Sequence, residues 1–251
     1  RSWINLLPVG ATFTAERDSY LKLLERLDMS YQFGGKRNFD LNEINDGEYN
    51  DWIGAQIRID MYGWVLPGKP KLAAELARRD ALLSHRGCAV EASAYIAGLC
   101  ALIPDSNSRE EAVNAALDLI DKDSEAYEAV LLGINNAGKP ASNLHAHYGD
   151  MSPVHSLNNL SVVVWAFLSF QDSFDEAIGE TICCGWDTDC TGATVGGLIG
   201  LDKGSIPELW TKPWQGRVNT AVAGVGELNL DDLVERTCAL VDKFSSSPDL
   251  P

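Results

Sequence analysis

The chain has 251 residues, 45% of them hydrophobic, with 36 acidic against 20 basic side chains and a formal charge of −16. That length can bury one sizeable core and fits a single domain over residues 1–251. Such a charge repels phosphate backbones and anionic headgroups, which argues against nucleic acid as a partner, and it suits an anionic substrate only where the site holds cations.

The longest apolar run, LSVVVWAFLSF from Leu160 to Phe170, is about half as long as a bilayer-crossing helix, so it reads as a buried element and no membrane partner is expected. Six cysteines without framework spacing, Cys183 and Cys184 adjacent among them, suggest reduced thiols and a cytoplasmic location. No secretory signal is read. The chain opens RSWINLLPVG without a methionine, so a processed product or part of a longer polypeptide is expected.

Helical signals dominate in chain order. The first is AERDSYLKLLERLD from Ala15; the second is KPKLAAELARRDALLSHRG, where Pro70 suits the first helical position and Gly87 a C′ stop. Ser108-Arg-Glu-Glu111 matches a capping box and precedes Val113, Ala116, Leu117 and Ile120 at helical steps. A second box, Ser173-Phe-Asp-Glu176, opens a short helix, and Leu230, Leu233, Val234, Leu240 and Val241 mark a last amphipathic one. The polar stretches 35–50 and 133–143 read as loops. One segment disagrees with an all-helical reading: from Gln56 to Met61 polar and apolar residues alternate as in a half-buried strand.

Chemistry concentrates in CGWDTDCTGATVGGLIG, residues 184–200. Carboxylates at i and i+2 in a loop, here Asp187 and Asp189 after Gly185, can aim at one point, whereas a regular helix separates them. The small residues that follow predict a helix packed closely on a neighbour, which would hold the loop rigidly. Hard oxygen donors on such a loop suit Mg²⁺ or Mn²⁺. Helix capping by the aspartates is the plain alternative. An EF-hand is excluded, because its twelfth position would be Leu198 instead of a bidentate glutamate. A nucleotide-sugar acidic triplet would follow a strand, and here the preceding segment has helical spacing. The histidines of HAHYGDMSPVH (His145, His147, His155, with Asp150) would make a second metal site if the chain were extended there.

GWDTDCTGATVGGLIG resembles the signature of the ADP-ribosylglycohydrolase family, helical hydrolases similar to the dinitrogenase reductase activating enzyme. DWIGAQIRIDMYGWVLPGKPKLAAELARRDALLSH (51–85) resembles the family's glycine segment, helix and histidine in the same order. VHSLNNLSVVVWAFLSFQDSFDEAIGETICCGWDTD is similar as well, and TFTAERDSY resembles larger bacterial members, so the likeness spans roughly residues 12 to 202.

The resemblance implies an all-α, compact orthogonal helical bundle matching the C-terminal portion of the family fold and incomplete at its N-terminal end. It implies a two-metal Mg²⁺ site held by Asp187 and Asp189. A threonine usually follows the second aspartate; Cys190 stands there, so Thr191 or water is expected to supply the oxygen. Gly54, Ala55 and Gln56 fall where the family's backbone approaches the ADP-ribose phosphates, with Ile-Gly-Ala in place of Gly-Asn-Gly. His85 falls at the substrate-contacting histidine, and is read equally well as a residue satisfying carbonyls at a helix end. Arg58 and Asp60 fit either a polar face or a substrate clamp.

The family's threonine-aspartate-aspartate motif and glycine-rich catalytic glutamate have no counterpart; Asp231 and Asp232 come after the signature, inside a helix. The catalytic residue is therefore unknown from sequence, and an N-terminal fragment or second polypeptide completing the site is an expected partner. The implied activity is Mg²⁺-dependent hydrolysis of the C1″ glycosidic bond of ADP-ribosylated or related ribosylated substrates, small molecule or protein. Two other readings stay open: a non-catalytic ADP-ribose or nucleotide-binding protein or subunit lacking the first metal-binding half, and a structural helical domain.

Overall fold

Helix Gly87–Leu102, GCAVEASAYIAGLCAL, carries apolar or small side chains on every face, and twelve of its residues are buried. A helix of that kind is stable only when surrounded. The computed structural model, which describes residues 2–26 and 40–245, surrounds it on all sides. With its 3₁₀ extension to Asp105 it is long and apolar enough to cross a membrane by length and composition, yet 72% of that window is enclosed by the rest of the fold.

Among the described residues there are thirteen α-helices and one two-stranded hairpin. In chain order they are α1 (Ser2–Leu6), α2 (Thr14–Arg26), α3 (Asp60–Trp64), α4 (Pro70–Ala81), α5 (Gly87–Leu102), α6 (Arg109–Leu117), α7 (Glu125–Asn136) and α8 (Ser142–Tyr148). Then follow α9 (Ser156–Ser169), α10 (Phe174–Cys183), α11 (Thr188–Lys203), α12 (Glu208–Thr211), β1 (Arg217–Asn219), β2 (Glu227–Asn229) and α13 (Leu230–Ser245). The all-α expectation holds. The antiparallel β1–β2 hairpin, with Val218 opposite Leu228, lies on the surface.

The second centre is α9, where thirteen residues from Ser156 to Leu168 are buried. This is the apolar run singled out in the sequence. It packs along α7 and touches α5, α10 and α11, while α4 and α3 cover α5. Arg109 opens α6 and is almost fully buried: Nη1 donates to the carbonyls of Phe167 (2.8 Å) and Phe170 (3.1 Å), and Nε to Asp202 (2.9 Å). A charge so enclosed is tolerated because it satisfies the open carbonyl end of α9 and meets a carboxylate from α11.

Both capping boxes form on their serine side. Ser108 Oγ accepts from Glu111 N (3.1 Å) and Ser173 Oγ from Glu176 N (3.2 Å). Glu111 reaches one residue further back than expected, to Asn107 N (2.9 Å).

Four expectations are corrected. Gln56–Met61 is not a strand: Gln56–Arg58 is a 3₁₀ turn that runs into α3, and the alternation reflects a helical segment with Gln56 and Ile59 inward and Ile57 outward. Gly87 does not stop the preceding helix. That helix caps at Leu82, whose amide bonds Arg78 O, and Gly87 at φ +52° opens α5. The stretch 133–143 is mostly helical, its loop confined to 137–141 between α7 and α8. His145 and His147 lie on α8, where i and i+2 side chains diverge, so the second histidine metal site does not form. Residues 35–39 of the other polar stretch lie outside the described residues; Leu41–Glu43 is a 3₁₀ turn.

The α7–α9 crossing tests the packing. A Cβ on Gly133 would lie 2.8 Å from Ser161 O and 2.8 Å from Val164 Cβ. Gly133→Ala is expected to cost about 1–3 kcal/mol, lowering the urea midpoint with an unchanged slope; an unchanged midpoint would mean that the helices do not cross this closely.

Candidate active site

The chain leading into DTD is strained and clamped from behind, and the expected loop is shorter than the sequence suggests: Asp187 is the N-cap and Asp189 already lies in the first turn of α11. Gly185 has φ +84° and Trp186 φ +59°, a left-handed conformation that a bulky residue adopts only when its surroundings insist. The Trp186 ring stacks on His145 (centroids 4.0 Å apart). His145 Nε2 lies 2.7 Å from Cys184 O; a carbonyl can only accept, so Nε2 carries the proton. Asp187 N donates to Asn159 Oδ1 (3.2 Å), and the Asn159 amide nitrogen donates to His155 O (2.7 Å) and Pro153 O (2.9 Å). The adjacent cysteines lie at the end of α10, where Cys184 is buried and Cys183 exposed.

The small residues after Asp189 do what the sequence suggests. A Cβ on Gly192 would meet Ile182 Cδ1 at 2.9 Å, and one on Gly196 would touch Ile178 and Phe174, so α11 lies close along α10. Asp187 occupies the N-cap position of α11, yet its side chain closes no capping hydrogen bond. The backbone amide of Cys190, at the third position of α11, still faces this carboxylate and favours its charged form, so capping of α11 and metal binding are both within its reach.

Asp187, Asp189 and Cys190 each offer a ligand atom, and these atoms lie within 4.8 Å of one another. Burial, opposed by contacts from Cys190 and reinforced by Asp189, raises the Asp187 pKa above its ordinary value. A cation between the two carboxylates would relieve both costs. Two carboxylates fit a hard ion such as Mg²⁺ or Mn²⁺ completed by water and substrate oxygens, whereas the thiol adds nothing for such an ion. Thr191, the expected oxygen donor, is fully buried and its Oγ1 donates to Asp187 O (2.9 Å). The side chain next to the carboxylates is that of Cys190 instead.

These three residues line a cleft of about 480 Å³. Its other walls come from α1 and the turn after it (Trp3, Leu7, Phe13), from α2 (Glu16) and from residues 52–58. The last segment is pinned against the chain before α9: Ile53 N donates to Val154 O (2.9 Å), and Ser156 Oγ to the carbonyls of Asp51 (2.8 Å) and Trp52 (2.9 Å).

Of the predicted phosphate-contacting residues only Gly54 reaches the cleft; Ala55 and Gln56 are fully buried behind it. His85 is also fully buried and does not line the cleft. Its Nδ1 is 2.7 Å from Ser84 Oγ, and its Nε2, without a hydrogen-bond partner, is 4.0 Å from Glu16 Oε1. Burial and the neighbouring Arg58 push its pKa down to about 3, so the imidazole is neutral.

Sequence reasoning missed Glu16, which sits on α2 between buried Ala15 and exposed Arg17 with no local signal beyond TFTAERDSY. Its carboxylate lies against Gly54, where a Cβ would meet Oε1 at 2.5 Å and Oε2 at 3.0 Å. Burial raises its pKa despite the attraction of Arg58. Arg58, read as polar face or clamp, is a clamp on the protein itself. Nε donates to Asp80 Oδ1 (2.7 Å), Nη1 to Glu16 Oε1 (2.5 Å) and Gly54 O (3.3 Å), and Nη2 to Asp80 O (3.2 Å) and Ser84 Oγ (3.0 Å).

Asp60 is the other half of that expectation and is not a clamp: its Oδ1 is buried without a partner, and burial lifts its pKa to about 6. The folded state then binds the proton more tightly than the unfolded chain. Stability should fall as pH rises from about 4 to about 6, by up to about 3 kcal/mol, and level off above. Asp60→Asn is expected to flatten that slope and stabilise the chain at neutral pH, as read by urea unfolding across this range; an unaltered slope would disprove it.

Comparison with known proteins yields one match. A family model described as ADP-ribosylglycohydrolase aligns with residues 5–245. No curated protein and no solved structure matches the chain. The alignment extends the likeness seen in the motifs at both ends, through the hairpin and α13. With the helical architecture and the paired aspartates at the mouth of α11, it establishes that the chain belongs to the ADP-ribosylglycohydrolase family.

Proposed function

We propose that the chain is a divalent-cation-dependent glycohydrolase, with Mg²⁺ the expected ion, acting on the C1″ bond of ADP-ribosylated or related ribosylated compounds. The convergence of Asp187 and Asp189 on one point of a cleft that also presents Glu16 is the observation that carries this reading. The family match supports the reaction class.

In the reaction the bond from C1″ to the acceptor breaks, a water oxygen bonds to C1″, and the acceptor leaves with a proton. Positive charge develops on the ribose as the acceptor departs, and carboxylates facing it lower the energy of that state. Asp187, Asp189 and Glu16 are the carboxylates on the cleft wall. A bound Mg²⁺ would supply a Lewis acid and an acidified water, with Asp187 and Asp189 as its protein ligands. The apolar side chains of Trp3, Leu7, Ile53 and Val154 limit competing water and keep the local dielectric low.

Asp187→Asn keeps the shape and removes one anionic ligand. Release of free ribose ends from an ADP-ribosylated arginine peptide and from simple ribosides, followed with and without Mg²⁺ or Mn²⁺, should fall at least about 100-fold in this variant. Activity equal to that of the unaltered chain would remove the pair from the ligand set.

A further inference from the structure

We infer that Cys190 makes the paired aspartates a site for thiophilic divalent cations, zinc foremost, with Cys190 Sγ as third protein ligand beside Asp187 and Asp189 and with Zn²⁺ displacing Mg²⁺ from it. The inference rests on the reading above that the two aspartates hold a cation. It concerns the one ion position that these three side chains share and leaves a second ion of a two-metal site to other ligands.

The first observation is where the sulfur stands. Asp187 is the N-cap of α11 and Cys190 its third residue, with Asp189 between them in the first turn. Side chains at the N-cap and the third position face each other across the start of a helix, the spacing that also makes capping boxes. Here the facing pair is a carboxylate and a thiol. One oxygen each from Asp187 and Asp189 and the Cys190 sulfur lie within 4.8 Å of one another. Bonds of about 2.1 Å to oxygen and about 2.3 Å to sulfur set neighbouring ligands of a tetrahedral zinc about 3.5 Å apart. Three short side chains reach that spacing by small rotations.

The second is that neither Thr191 nor Thr194 can take the place of the sulfur. Both are buried, and their hydroxyls donate to Asp187 O (2.9 Å) and Cys190 O (2.9 Å). Those bonds tie the backbone of two ligand residues into α11, which Gly192 holds close against Ile182 of α10. A hard ion meeting this set uses the carboxylates and water and leaves the thiol idle, whereas zinc accepts oxygen and sulfur alike.

The third is the surroundings. Asp187, Asp189 and Cys190 all line the cleft, so a fourth position stays open to water or substrate, as in zinc sites with three protein ligands. Two carboxylates and a thiolate around a dication leave one net negative charge, and they stand at the positive amide end of a sixteen-residue helix. Without an ion, burial and the neighbouring aspartates hold the proton on the thiol; the ion takes its place and that proton passes to solvent.

Cobalt, which accepts the same ligands as zinc and is coloured, reads the sulfur directly. Co²⁺ added to the reduced, unaltered chain should raise a thiolate-to-metal charge-transfer band in the near ultraviolet. Equimolar Zn²⁺ should abolish the band, and an excess of Mg²⁺ of about 100-fold should not. X-ray absorption at the zinc edge of the loaded, unaltered chain should show one sulfur at about 2.3 Å among lighter atoms, a measurement that needs no variant. Cys190→Ser should remove the cobalt band and weaken Zn²⁺ at least about tenfold in calorimetric titration. Its Mg²⁺ affinity should not fall, because a hydroxyl suits that ion better than a thiol. A zinc shell without sulfur, a band that survives in Cys190→Ser, or a band lost to Mg²⁺ overturns the inference. Activity separates the two levels: Mg²⁺-dependent cleavage by a chain whose zinc shell lacks sulfur would keep the glycohydrolase reading and sink this one. Sulfur-bound zinc in a chain that cleaves no ribosyl compound with either ion would support this one and remove the hydrolase reading.

Discussion

The five hydrogen bonds of Arg58 organise the candidate site. They join α2 through Glu16, the cleft floor through Gly54 and the end of α4 through Asp80 and Ser84, and the last of these passes to the neutral ring of His85. Asp80 also accepts from Tyr62 on α3 (3.1 Å). A guanidinium in this position is half-buried and forked, so it can bond in several directions at once, which a lysine ammonium could not match in geometry. Without it, Glu16 would keep its burial cost and lose its counter-charge.

Against that fixed wall stands a second rigid element, the turn from Gly185 into the start of α11 that carries DTD. The two are stiffened by different means, one by a saturated charge network and the other by stacking, a side-chain amide clamp and close helix packing. Between them lies an apolar gap. The arrangement meets the requirement that reacting groups be held before a substrate arrives, so that little reorganisation is left to the reaction itself.

Much of the fold could be read from residues alone where local and global preferences agree. Pro70 at a first helical turn, the two serine caps and the apolar run of α9 all appear where expected. The reading failed where one residue serves two elements. Gly87 has the composition of a stop, but its left-handed conformation is used to start α5; Gln56–Met61 alternates because a 3₁₀ turn hands over to a helix, which shifts the period midway. At the site, Asp187, Asp189 and Gly54 were singled out because paired aspartates before a run of small residues and a glycine at a close approach leave a mark in the sequence, although Asp189 belongs to the first turn of α11 and not to a loop. Glu16 left none: a glutamate in the first turn of a helix is ordinary, and only the contact with a residue 38 positions later gives it meaning. Thr191 and His85 were placed near the right elements, yet their side chains turn to backbone and to Ser84.

The strain at Trp186 has a spectroscopic side. An indole stacked at 4.0 Å on an imidazole, one residue from the carboxylate pair, is a built-in emitter beside the cleft. The chain contains seven tryptophans, of which Trp3 and Trp52 also border this space. Trp3, Trp52 and Trp186, three of the seven, thus sit at or beside one small region, so part of an unlabelled sample's own emission records whether that region is assembled.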